Sequence, residues 1–297
     1  MTDLFSSKMK LGIFLVLLAT TGFAGKTILT KLAYREGLDP LTLLTLRMIM
    51  AGFFFLATLT FNLARGHWVF KLTLKQMALI VILGIGGYYI SSYLDFLGLY
   101  YIDANLGRMI LFLYPTMVVA INAIITKTKI HNATKISLIV CYLGLFLMMI
   151  PNLGSPQKNF FIGFVYIFLS ALTYAFYLVG VDRYFRDHAI NFFVSLIFGA
   201  ASLAIFTHFF LTRPLVTLFQ PFNVYVLIFV MASVSTVIPI YALSYGLALI
   251  GASRAATLSM VGPAFTLFMG FYILDEKIVP IQILGAVLMI FGVSRIK

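Results

Sequence analysis

The chain has 297 residues, of which 62% are hydrophobic and 10% charged, with a formal net charge of +12. A soluble domain carries about 25% charged residues, so the composition excludes an ordinary soluble enzyme and a disordered chain. Cys141, the single cysteine, excludes an internal disulfide scaffold. The 21 bases are spread over the chain and recur at the ends of apolar runs rather than gathering into a nucleic-acid face. Lys and Arg in those places orient spans in a bilayer.

A spanning helix needs about 20 mostly apolar residues. Ten runs meet that need, at 11–34, 41–63, 75–97, 103–125, 133–151, 160–181, 190–211, 222–246, 250–273 and 279–296. Turn-forming residues lie between them: Asp39-Pro40, Asn152 to Pro156, Arg213-Pro214, Gln220-Pro221 and Pro280. Continuous apolarity, rather than alternation, excludes a membrane β-barrel. The first run follows Lys8 and Lys10 as a signal peptide would. It is too long for one and lacks a small-x-small cleavage site, so it is expected to stay as a span. With the N-terminus inside, thirteen bases fall on inner segments and six on outer ones. Both termini are therefore expected in the cytoplasm, with the chain in the cell's inner (plasma) membrane.

Tyr93, Gly98, Leu99, Ile102, Ala104 and Pro115 recur at an offset of 148 residues as Tyr241, Gly246, Leu247, Ile250, Ala252 and Pro263. Gly144 and Gly292 continue the series. The sequence predicts an all-α membrane protein whose ten transmembrane helices form two five-helix repeats, residues 1–153 and 154–297. Five is odd, so the second repeat enters the membrane the other way up. Inverted repeats of this kind build carriers around a midplane site.

Several segments carry a family resemblance: Ala252-Ser-Arg-Ala-Ala256, then Gly262-Pro263, then Glu276-Lys277, then Gln282-Ile-Leu-Gly285. In the first half, Asp39-Pro40, Leu46-Arg47, Ala51-Gly52 and Tyr114-Pro115-Thr116 add to it. Over essentially its whole length the chain resembles the EamA family of the drug/metabolite transporter superfamily. Thr128 stands where the first half would hold the counterpart of Glu276. The resemblance implies a ten-helix permease, often an exporter of amino acids or related metabolites.

Thr20 to Thr27 resembles the end of a P-loop but lacks its first glycine and a preceding strand, so no nucleotide site is expected. The glycines at 84, 86 and 87 read as helix packing. The four His residues have no metal-ligand spacing, and no catalytic constellation is present. No cofactor and no metal is expected. The expected partners are a small-molecule substrate and the lipid bilayer, not nucleic acid, and a homodimer is left open.

Charge inside the bilayer is costly and marks function. The repeat places Lys26 against Tyr177, Arg47 against Phe198, Asp95 against Leu243 and Arg108 against Ala256, so each charge is present in one half only. Lys26 either snorkels to the interface or binds substrate. Asp95 and Arg108 are read as a pair. Lys26 and Arg108, with the mid-span tyrosines Tyr88, Tyr89 and Tyr93, are taken as substrate-binding. Tyr174, Tyr177 and Tyr241 join them. Arg47, Asp95, Pro115, Pro263 and Glu276 are taken as gating or structural, with the two prolines freeing backbone carbonyls in the fourth and ninth helices. Small multidrug pumps of the same superfamily attract cations with an acid in the first helix. This chain has Lys26 and no acid from Leu11 to Tyr34. The sequence therefore favours a secondary carrier, by alternating access, of an amino acid or related carboxylate, with export the favoured direction. The alternatives are an exporter of lipophilic or cationic drugs, an intramembrane enzyme and a channel.

Overall fold

The computed structural model describes residues 2–64, 72–152, 159–185, 190–274 and 277–294. Its helices are α1 (Thr2–Arg35), α2 (Pro40–Ala64), α3 (Leu74–Tyr101), α4 (Ala104–Leu111 and Tyr114–Thr126), α5 (Asn132–Met149), α6 (Phe160–Phe185), α7 (Ile190–Thr212), α8 (Phe222–Ile250), α9 (Ala252–Leu258 and Gly262–Leu274) and α10 (Pro280–Ser294). Among the described residues nine of these are long and apolar enough to cross a membrane, and α10 is a shorter apolar helix. The proposed repeat boundary at 153/154 and Glu276 lie outside the described residues.

Local chemistry sets the ends. Gly37 takes φ +86°, where a side chain would be strained, and closes α1. Two residues later Asp39 caps α2, its Oδ1 accepting from the backbone N–H groups of Leu41 (3.1 Å) and Thr42 (3.3 Å), and Pro40 takes the first helical position. The two third helices end four residues later than the apolar runs implied, at Tyr101 and Ile250 rather than at 97 and 246. Gly98 and Gly246, which mark the repeat in the sequence, are packing points in this bundle.

That packing follows the repeat. A Cβ on Gly246 would meet Val16 of α1 at 2.6 Å, and one on Gly12 of α1 would meet Ile250 at 2.6 Å. The counterparts do the same: a Cβ on Gly98 would meet Ile167 of α6 at 2.2 Å, and one on Gly163 of α6 would meet Ile102 at 2.5 Å. The pairs α1–α8 and α6–α3 are thus one contact made twice. The most extensive helix contacts, α5–α10, α1–α8, α3–α6 and α2–α7, all join the two halves, so neither half encloses its own core. The approximate two-fold axis is visible where Cys141 of α5 touches the Met289 carbonyl of α10 at 3.6 Å, because these residues are themselves 148 apart.

Two interruptions are also duplicated. A π-helical turn occupies Leu83–Tyr89 in α3 and Ser233–Val237 in α8. Such turns release backbone groups and recur at functional sites. Helices α4 and α9 each break just before their proline, at 112–113 and at Ser259–Val261, as Pro115 and Pro263 implied. The carbonyl of Phe112 at the first break accepts from the Tyr142 hydroxyl at 3.3 Å.

On the face of the bundle that holds the α1–α2 turn, the Asp39 carboxylate also meets Arg213 Nε at 3.3 Å, tying that turn to the α7–α8 loop of the other half. Partial burial raises the Asp39 carboxyl, but the Thr42 hydroxyl and amide, Arg213 and the Leu41 amide outweigh it and hold its pKa below the usual value. A depressed carboxyl contributes stability that is fully present above its unfolded pKa of about 3.9 and is lost as pH falls through the lower folded value. Asp39→Ala should therefore cost about 1 kcal/mol at neutral pH. The difference from the parent should shrink below about pH 4. Thermal unfolding in detergent across that range measures it.

Candidate functional site

A partly open cavity lies between α1, α2, α3, α4, α6, α8 and α9. Both π-turns border it, through Tyr88 and Ser235. So does the α4 break, through Leu111, Phe112 and Tyr114. The duplicated irregularities thus converge on one place, where irregular backbone is tolerated because it lines a cavity.

All the charge comes from the first half. Lys26 of α1, Arg47 of α2, Asp95 of α3 and Arg108 of α4 line the cavity. The second half faces them with Tyr174, Tyr177, Leu243, Leu247 and serine hydroxyls. The positions opposite in the repeat explain this lopsidedness: Lys26 has Tyr177 as its counterpart and Asp95 has Leu243, and both counterparts reach the same cavity.

The ion pairing differs from the expected one. Lys26 Nζ lies 2.7 Å from Asp95 Oδ2, so Asp95 is paired with Lys26 and not with Arg108. Lys26 also sits 5.9 Å from the Phe96 ring. Its side chain is 15% exposed, and it points into the bundle instead of snorkelling to the interface. Once Lys26 turns inward, a buried ammonium at that depth must have a carboxylate, and Asp95 is the acid within reach.

Arg108 instead gives an Nη2 hydrogen bond to the Phe23 carbonyl of α1. Its Nε is buried with no hydrogen-bond partner among the described residues. Arg47 is 1% exposed, and both its Nε and its Nη2 are buried without partners among the described residues. Its guanidinium lies 4.9 Å from the Phe96 ring and 6.0 Å from the Tyr88 ring. Cation–π contacts of this kind hold a guanidinium in place but supply no acceptor for its N–H groups.

Hydroxyls complete the wall. Ser91 and Ser170 bond reciprocally, each Oγ to the other's carbonyl at 3.1 and 2.8 Å, and fasten α3 to α6. Thr20 Oγ1 reaches Ser259 Oγ at 3.2 Å and fastens α1 to α9. Sequence reading missed these serines because a mid-span serine ordinarily satisfies itself on its own helix. Their signal was position: Ser91 and Ser92 lie within a turn of Tyr88.

Of the residues expected to bind substrate, Lys26, Tyr88, Arg108, Tyr174 and Tyr177 line the cavity, joined by Arg47 and Asp95. Tyr89, Tyr93 and Tyr241 stand outside it. The Tyr89 hydroxyl bonds His208 Nδ1 at 2.6 Å, and Tyr93 meets the same ring edge-on at 5.0 Å, between α3 and α7. The Tyr241 hydroxyl lies 2.9 Å from Ser195 Oγ on α7, and its ring lies 5.6 Å from Phe55. Helix geometry explains the split in α3: Tyr88 lies on one stripe with Ser91, Ser92 and Asp95, while Tyr89 and Tyr93, four residues apart, share the neighbouring face towards His208. Pro115 is buried in α4 beside Tyr114, while Pro263 borders a smaller hollow behind Arg108.

The EamA-like transporter family model matches this chain twice, at residues 10–150 and 161–296. An uncharacterized transporter of Bacillus subtilis (strain 168), YcbK, is 31% identical over 92% of this chain and 88% of its own. Another from the same organism, YyaM, is 27% identical over 84% of this chain and 92% of its own. A protein of known crystal structure superposes with a TM-score of 0.75 at 17% identity, over 98% of this chain and 96% of that one, and so shares the fold. Two family-model matches on two inverted halves, around one shared cavity, make the chain a member of the EamA-like transporter family and a multi-pass membrane transporter.

Proposed function

We propose that the chain is a secondary carrier that moves a small carboxylate, an amino acid or related acid, by alternating access and in the export direction. One observation carries this reading: Arg47 and Arg108, whose buried guanidinium N–H groups lack partners among the described residues, line a cavity shared by the two inverted halves. Buried charges demand a partner, and a guanidinium matches a carboxylate's two oxygens. Lys26 and Asp95 hold each other in the resting cavity, so the arginines rather than Lys26 are the first carboxylate donors. A lipophilic cation meets repulsion from both arginines, which disfavours the drug-export alternative. The cavity is formed by one chain, so a single copy suffices.

Orientation belongs to the same proposal. The base distribution supports a cytoplasmic placement of both termini, with the protein in the inner membrane. Residues 129 and 277 are counterparts in the repeat, and the inverted topology expects them on opposite sides of the membrane. In a Cys141→Ala background, Lys129→Cys should react with a membrane-impermeant thiol reagent only from the cytoplasmic side, and Lys277→Cys only from outside. Labelling of both from one side would overturn the topology.

Counterflow in proteoliposomes tests the carrier itself. Vesicles loaded with unlabelled carboxylate should accumulate labelled carboxylate transiently and saturably. Linear, non-saturating flux would identify a channel.

A further inference from the structure

We infer that the cavity selects a small organic dianion over a monoanion or a zwitterion. This rests on the carrier reading and narrows its substrate from amino acids and related acids to the dianionic acids among them. The argument is a charge balance. Among the described residues the cavity holds three cations, Lys26, Arg47 and Arg108, and one anion, Asp95. The 2.7 Å contact between Lys26 and Asp95 cancels one of each. Two guanidiniums remain. Arginine stays protonated in proteins, so neither can shed its charge to suit its burial.

Each remaining guanidinium has an acceptor shortfall of its own. Arg47 lacks partners for Nε and Nη2, and Arg108 lacks one for Nε. The aromatic rings beside them, Phe96 and Tyr88 for Arg47 and Phe112 for Arg108, carry no net charge. A monoanion leaves one positive charge uncompensated. A zwitterion leaves two, and its ammonium has no free acid to meet, because the one acid in the wall is held by Lys26. A dianion brings the site to neutrality and supplies several acceptor oxygens to the forked donors.

Placement gives the shape. Both guanidiniums belong to the first-half wall, while the second half offers Leu243, Leu247 and Tyr177, which carry no charge. The ligand therefore presents both charges to the first-half wall, where the two guanidiniums stand. A phosphate monoester and a short dicarboxylate both fit this chemistry.

Equilibrium binding to the purified protein in detergent at pH 7.5 tests it. The probes are succinate, ethyl phosphate, succinamate as the matched monoanion, and 4-aminobutyrate as the matched zwitterion. One of the two dianions should bind at least about tenfold more tightly than succinamate and 4-aminobutyrate, and which one does so tells phosphate from dicarboxylate. One uncompensated charge in a shielded site outweighs the ~1.4 kcal/mol that tenfold represents. Arg47→Gln should remove most of that preference by weakening the dianion. Arg108→Gln gives the same readout if the first variant does not yield monodisperse protein. Lys26→Met/Asp95→Asn deletes a neutral pair and should keep the preference for the dianion. Equal or tighter binding of 4-aminobutyrate or succinamate, or binding of neither dianion, overturns the inference. If 4-aminobutyrate or succinamate then shows saturable counterflow, the carrier reading stands without it. If no probe shows saturable counterflow, the carrier reading fails as well.

Discussion

Asp95→Asn is expected to destabilise the folded protein by about 3–5 kcal/mol, the cost of stranding a buried charge. The change leaves Lys26 without its 2.7 Å partner beside Arg47 and Arg108, so three cations share one cavity with no acid among the described wall residues. Lys26→Met is the opposite case. It strands a carboxylate, but one with two guanidiniums bordering the same cavity and short of acceptors. The loss for Lys26→Met should accordingly be smaller than for Asp95→Asn. Thermal unfolding of the purified variants gives the rank order. Equal losses would mean that the arginines do not feel the Asp95 charge.

The second large effect concerns the seam between the halves. A Cβ on Gly144 of α5 would lie 2.5 Å from the Gly285 carbonyl of α10, and a Cβ on Gly285 would lie 2.5 Å from the Gly144 carbonyl. Both obstacles are backbone, which cannot rotate aside. Without a hydrophobic driving force in lipid, helices associate through this close approach. Gly285→Leu should push the two helices apart and cost at least about 1–3 kcal/mol, the usual range for overpacking. Gly199→Ala is the control, since nothing lies within 4 Å of the added Cβ. A Gly285→Leu protein that melts with the Gly199→Ala protein would contradict the packing.

The bundle was legible in the sequence because lipid imposes a length and a polarity on every crossing. The repeat was legible because glycine and proline recur at one offset among apolar residues that could have aligned by chance. What a linear reading could not supply was rotation. Tyr88 and Tyr89 are neighbours in sequence, yet one faces the cavity and the other bonds His208, because successive helical residues point about 100° apart and only the assembled bundle shows which direction is inward. Pairing was equally hidden. Asp95 lies closer to Arg108 in sequence than to Lys26, and the choice between them is made by the packing of α1 on α3 and α4. The serines of the wall look like any other mid-span serine until the helices are brought together.

Accessibility of the cavity from both faces of the membrane tests alternating access most directly. Ser92 lines the cavity on α3. A Ser92→Cys variant in the Cys141→Ala background, placed in vesicles of one known orientation, can be offered a small membrane-impermeant thiol reagent from inside or from outside. A carrier built from inverted halves around this cavity should be labelled from either side, and a bound carboxylate should slow both reactions. Labelling confined to one face, at every substrate concentration and on either side, would contradict it.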